Sequence, residues 1–331
     1  MKLKLLIAAV AIVVVGCKAQ SNDTAPSVTN TWLDKPAAEQ AQAIRNGTLT
    51  SEQLVTGYLA RIEERDKKVN SILVLNSNAI AQAKAADEQT QKGTFTGPLH
   101  GIPVLLKDNI EASELPTTAG SMALVNNRTG RDAPIVANLK AAGAIILGKT
   151  NLSEWANFRS ESSISGWSAV GGLTRNPHLL SRTACGSSSG SGAAMALRLS
   201  SLAVGTETNG SIICPSSMNG IVGFKPTVGL LSRSYIVPIS SSQDTAGPMT
   251  ANVNDAWLMA SVMDGVDVKD AATADAEDHL LPSLEESMLA TDLKGIRVGV
   301  VRYRQGDNLH AVSYPHLQLP TSYLVSIPLM P

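Results

Sequence analysis

The sequence predicts a layered α/β domain, on three observations. Apolar residues recur at helical spacing through residues 35–92. From Gly97 onward, short uninterrupted apolar runs alternate with helical segments, an order that builds sheet-and-helix layers. The chain has 331 residues, 44% hydrophobic and 17% charged, enough apolar surface for a sizeable core. Charge is nearly balanced, 27 Lys plus Arg against 28 Asp plus Glu, with no basic run able to track phosphates, so no nucleic-acid partner is expected. Three cysteines exclude a disulfide scaffold, and neither CxxC nor HExxH occurs to mark a metal site.

The first residues read as a targeting segment. Lys2 and Lys4 precede the apolar run Leu5 to Val15, whose length suits a signal peptide and falls short of the ~20 residues that span a bilayer. Val14-Val15-Gly16-Cys17 resembles the bacterial lipobox, in which Cys17 is lipidated; the alternative is an ordinary signal peptide with an incidental cysteine. The expected organisation is a signal peptide over 1–16, a tether over 17–34, and one domain over 35–302. This implies a bacterial cell-envelope location, with the membrane touched through the N-terminal lipid anchor only.

Within the domain, Thr50-Ser51-Glu52-Gln53 offers a capping box, and Leu54, Tyr58, Leu59 and Ile62 then share a helix face. A second, Ala-rich helix runs from Asn76 to Lys92 and stops at Gly93. Ile102 to Leu106 is a short apolar run. Asp132-Ala133-Pro134 opens a helix that closes at Gly143, and Ala144 to Leu147 forms the next strand. Residues 160–220 are rich in Gly, Ser and Asn and carry a helical segment, Ser191 to Leu199, and a strand, Leu202 to Val204. Asn252 to Met263 is an amphipathic helix, and Leu293 to Val301 a turn feeding a buried strand. From Tyr303 to Pro331 the composition shifts: three of the five Tyr and four of the 16 Pro lie there, without one Glu. This tail is not expected to continue the fold.

Two motif matches fail on context. Gly143 to Thr150 fits the P-loop expression, but its middle residues, Ala-Ile-Ile-Leu, are the strand itself, where a phosphate cradle needs a loop. Gly186-Ser-Ser-Ser-Gly190 fits the nucleophile-elbow expression, yet the polar, Pro-containing stretch before it supplies no buried strand. Two other features carry chemistry. Lys107 ends the run Ile-Pro-Val-Leu-Leu, so its amine either loses hydration and becomes a neutral base or snorkels at the strand end. Gly205-Thr-Glu-Thr-Asn-Gly-Ser211 places small residues where successive backbone amides converge, either as an oxyanion hole beside a nucleophilic Ser211 or as an anion-binding nest without chemistry.

Three blocks taken together resemble the amidase signature family: Gly101-Ile-Pro-Val-Leu-Leu-Lys-Asp-Asn109, Cys185-Gly-Ser-Ser-Ser-Gly-Ser191, and Gly205-Thr-Glu-Thr-Asn-Gly-Ser-Ile212. Ser211 follows Ser187 by 24 positions, as the serine pair of that family requires. Lys149-Thr-Asn-Leu-Ser-Glu-Trp-Ala-Asn157 and Ser242-Gln-Asp-Thr-Ala-Gly-Pro248 are similar to the bacterial peptide amidase branch. The resemblance implies a layered α/β/α domain with a central mixed sheet covered by helices. It also implies hydrolysis of carboxamides, either C-terminal peptide amides or small amides, to acid and ammonia through an acyl-enzyme. In that scheme uncharged Lys107 takes a proton from Ser187, which sits at a cis peptide; Ser187 deprotonates Ser211; and Ser211 attacks the carbonyl. The amides of Thr208, Asn209, Gly210 and Ser211 hold the oxyanion, Asn157 binds substrate, and neither metal nor cofactor takes part. Cys185 and Cys214 flank the two serines, as a disulfide or as two buried thiols. Relatives with this signature are longer, so the C-terminal part of the domain is expected to be missing and residues 303–331 to be out of frame. The alternative function is an inactive, truncated amidase-like binding protein.

Overall fold

A computed structural model describes residues 31–283. Cys17, the expected strand over 293–301 and the tail from Tyr303 lie outside them. The expected tether does not reach residue 34. Leu33 is buried, its carbonyl accepts from the Tyr58 hydroxyl at 3.0 Å, and Asp34 pairs with Arg61 at 2.6 Å. An apolar side chain and a held carboxylate belong to a packed layer.

The N-terminal helices follow their sequence signals. Helix α1 (Ala37–Arg45) precedes α2 (Ser51–Arg65), which starts at the expected capping box, Thr50 and Gln53 each bonding the other's backbone amide. Leu54, Tyr58 and Ile62 face inward, joined by Val55, while Leu59 is only half-buried. The expectation of helix throughout 35–92 is corrected by strand β1 (Ile72–Leu75), which separates α2 from α3 (Ala79–Gln91). Four apolar residues are too few to display a period, so the run Ile-Leu-Val-Leu reads equally well as buried helix.

The remaining strands are β2 (Pro103–Lys107), β3 (Ile145–Thr150), the short pair β4 (Trp167–Ser168) and β5 (Gly172–Leu173), β6 (Leu202–Glu207), β7 (Val222–Gly223) and β8 (Thr245–Thr250). The helices are α4 (Pro134–Ala141), α5 (Ser189–Ala196), α6 (Ile213–Asn219) and α7 (Val253–Met263). Six strands form a mixed sheet in the order β1-β3-β2-β6-β8-β7. β2 runs parallel to β3 and to β6, whereas β1, β7 and β8 are antiparallel to their neighbours. Every residue of β2, β3, β6 and β8 is buried, so both faces of the central strands are covered, as parallel strands require.

Two elements differ from expectation near the serine-rich stretch. β6 continues past Val204 to Glu207, because β8 pairs with it from Ala203↔Met249 to Glu207↔Thr245. Helix α5 begins at Ser189 and ends at Ala196, two residues before Arg198 takes a left-handed φ of 55°. Ser189 to Met195 are all buried, and the helix approaches the chain just after β3 and just before β1 closely: a Cβ on Gly190 would lie 2.4 Å from the Asn151 and Ser71 carbonyl oxygens.

Candidate active site

Lys107 is the last residue of β2 and is fully buried. The parallel register, Leu106↔Val204, brings Thr206 of β6 beside it. The Lys107 amine lies 2.8 Å from Thr206 Oγ1, 3.1 Å from the Thr206 carbonyl and 2.7 Å from Ser187 Oγ. Among the described residues no carboxylate bonds it. Burial pulls its pKa down from 10.5 to about 7, against the opposing pull of Glu207 and Asp244. The half-neutral amine this implies at pH 7 has the bonding it needs: two N–H donors for Thr206, and a lone pair for the Ser187 hydroxyl.

Ser187 follows a cis Gly186–Ser187 peptide and is fully buried. The serines after it tie its loop in place. Ser188 donates its amide to the Ser211 carbonyl at 3.1 Å, and its hydroxyl bonds the Thr206 carbonyl and amide. Ser189 Oγ donates to the Cys185 carbonyl, and Ser191 Oγ to the Val204 carbonyl. Cys185 and Cys214 form a disulfide with a Cα–Cα distance of 5.9 Å, which settles the open choice between bridge and thiols. Both catalytic-candidate serines line one pocket of about 240 Å³, with Thr206, Glu207 and Thr208 beside them. Among the described residues no hydrogen bond joins the Ser187 and Ser211 hydroxyls directly.

The turn after β6 is organised by a residue the sequence reading gave no role. Glu207 accepts the amides of Gly210 (2.8 Å), Ile212 (2.7 Å) and Ile213 (2.9 Å), placing a carboxylate over the start of α6. This corrects the expected four-amide oxyanion site, since the Gly210 N–H is already engaged. Thr208 and Ser211 line the pocket, and Asn209 lies between Thr208 and Gly210 in the turn. Asp244 holds the turn from the other side: it accepts the Thr208 hydroxyl at 2.5 Å and the amides of Ile239 and Ser240 at 2.7 and 2.9 Å. Asn157 is not brought into this wall. Ala156 lines the pocket instead, and the Asn157 side-chain nitrogen reaches Ser165 Oγ at 3.4 Å.

A second buried amine sits one strand away. Lys149 of β3 faces Asp108 at 3.4 Å and donates to the Ile110 carbonyl and Thr117 Oγ1. Burial pushes Lys149 down and Asp108 up, each shift opposed by the other's charge. The pair anchors the segment directly after Lys107. Among the described residues no cluster of His, Cys, Asp and Glu is placed to hold a metal ion.

A family model described as Amidase matches residues 53–313. The chain belongs to the amidase family. The match ends inside the compositionally distinct tail. Among similar proteins, a probable amidase of Arabidopsis thaliana is 45% identical over 263 residues, 78% of this chain and 51% of that protein. The native peptide amidase of Stenotrophomonas maltophilia superposes with a TM-score of 0.72 at 51% identity, covering 73% of this chain and 50% of that one. A peptide amidase in complex with the competitive inhibitor chymostatin gives a TM-score of 0.80 at 43% identity, over 90% of this chain and 62% of that one. The chain thus spans about half the length of the curated relatives it matches. The mixed sheet with covering helices is the α/β fold of this amidase family.

Proposed function

We propose that this amidase hydrolyses carboxamides, C-terminal peptide amides or small amides, with Lys107, Ser187 and Ser211 as the reacting groups. The observation that carries the reading is a fully buried amine, shifted to about 7, bonded to Ser187 in the wall that also presents Ser211. A neutral amine accepts a proton, and an amine held charged does not. Ser187 passes its proton to Lys107 and takes one from Ser211 as Ser211 Oγ bonds the amide carbon. The amides of Thr208, Asn209 and Ser211 face the developing oxyanion. When the C–N bond breaks, the nitrogen leaves as ammonia or amine with the proton returned through Ser187. Water then cleaves the acyl-enzyme, giving the acid. The peptide amidases among the structural relatives support the substrate class.

Ammonia release from peptide amides tests this. Ser211→Ala and Lys107→Ala should each abolish it, and kcat/KM should rise with pH through about 7 as Lys107 loses its proton. Turnover that survives either substitution sinks the mechanism; tight amide binding without turnover by the unaltered chain identifies a binding protein instead. We also propose an envelope location through lipidated Cys17, supported by Lys2, Lys4, the apolar run to Val15, and Gly16-Cys17. Intact-mass measurement on membrane-extracted protein should show a lipid adduct that Cys17→Ser removes, and an unmodified Cys17 refutes it.

A further inference from the structure

The described residues contain five buried side-chain polar atoms without a hydrogen-bond partner: Asn109 Oδ1, Asn157 Oδ1, Ser163 Oγ, Ser216 Oγ and Asn219 Oδ1. Asn109 alone of these residues lines the pocket that holds the two serines. It is 3% exposed, and two of its polar groups are held. Its backbone carbonyl accepts the Val237 amide at 2.9 Å, and its side-chain nitrogen donates to Thr206 Oγ1 at 2.9 Å. Thr206 Oγ1 is in turn the partner of the Lys107 amine. With its backbone carbonyl and side-chain nitrogen committed, Oδ1 is a preorganised acceptor two positions along the chain from the proposed base. A buried amide oxygen without a donor is costly, and such groups are normally satisfied.

We propose that Asn109 Oδ1 accepts a hydrogen bond from the N–H of the scissile carboxamide, making Asn109 a binding residue that selects amides over their oxygen analogues. The proposal rests on the amide-hydrolysis reading of this site and names the contact that reads the nitrogen. The contact has a stereochemical use as well. An amide nitrogen whose N–H points at Asn109 keeps its developing lone pair free for Ser187, the group that must protonate it before it leaves. A site built to bond an N–H rejects the analogue that lacks one, because its acceptor is then left buried and unmatched.

The test compares a peptide amide with the methyl ester of the same acyl group, which offers no N–H. In the Ser211→Ala chain, calorimetry should find the amide bound about tenfold more tightly than the ester. Adding Asn109→Ala should bring that ratio close to one. With Ser211 present, Asn109→Ala should lower the amide-to-ester ratio of kcat/KM by about 10- to 100-fold. Equal affinities in the Ser211→Ala chain overturn the proposal, and so does a ratio that Asn109→Ala leaves unmoved, as a purely structural role for Asn109 would. The binding arm needs no turnover. A chain that hydrolyses neither compound yet discriminates them through Asn109 refutes the hydrolytic reading and upholds the Asn109 contact with the amide N–H alone.

Discussion

Replacing Lys107 by methionine is expected to end catalysis and, at neutral pH, to stabilise the fold. The amine is fully buried, and desolvation lowers its pKa to about 7; in the unfolded chain it returns to about 10.4. Because the folded value lies below the unfolded one, the unfolded chain binds more protons between pH 7 and 10, and stability rises with pH across that window. At about 1.4 kcal/mol per unit, the amine costs the folded state about 4 kcal/mol at pH 7 and about 1 kcal/mol at pH 10. Methionine fills similar space without charge but deprives Ser187 and Thr206 of a partner, a loss of about 1–2 kcal/mol. The variant should therefore be more stable by about 2–3 kcal/mol at pH 7 and no better than the original at pH 10. Urea denaturation of both proteins at the two pH values reads the difference directly, and common effects of alkali cancel. A stability difference that does not change with pH would refute the assignment of a depressed pKa to Lys107.

Three further outcomes follow from other contacts. Glu207 pulls the Lys107 pKa upward, so Glu207→Gln should shift the acid limb of the kcat/KM profile to lower pH. The same change should weaken the cap on α6, lowering stability by about 1–3 kcal/mol in denaturant melts; a limb that stays or moves upward contradicts the electrostatics. Asp108→Asn leaves the buried Lys149 amine without its counter-charge and should cost about 3–5 kcal/mol, partly recovered in the Asp108→Asn/Lys149→Met double variant; a double-mutant cycle with no coupling energy argues against the pair. Cys185→Ser with Cys214→Ser, opening a bridge across 29 positions, should cost about 3–4 kcal/mol by the chain-entropy estimate, and calorimetry showing an unchanged melt would contradict that.

How far the sequence disclosed this molecule depended on whether a signal was local. Lys107 was legible because a charged residue ending an uninterrupted apolar run is itself anomalous, and α2 because its capping box and its inward face lie within one segment. β1 was not legible, since four residues carry no period, and β8 was obscured because Gly247 and Pro248 sit inside it. Its Pro248 is tolerated opposite Val204 while its carbonyl still accepts from Phe224. Glu207 and Asp244 escaped notice for a different reason. Acids in Gly- and Ser-rich stretches look like ordinary solvated loop residues, and only the fold shows Glu207 accepting three amides and Asp244 two amides and a hydroxyl. The pairing of Cys185 with Cys214 likewise depends on a Cα–Cα distance that spacing does not determine.

That bridge changes what it means for the site to come apart. Ser187 and Ser211 both lie within the covalent ring that Cys185 and Cys214 close, and the ring also contains α5 and β6. If β6 peels from β8 in a transient opening, the serines remain confined to the conformations of a small ring, so their effective concentration for one another stays high and re-formation is rapid. A single peptide-bond cleavage inside the ring leaves them on one covalent molecule. Lys107 and Asn109 lie outside the ring, linked to it through the long chain segment before Cys185 and held against it by strand pairing and hydrogen bonds. Disassembly of the centre is thus asymmetric: the nucleophile and its relay stay together, and what departs is the base.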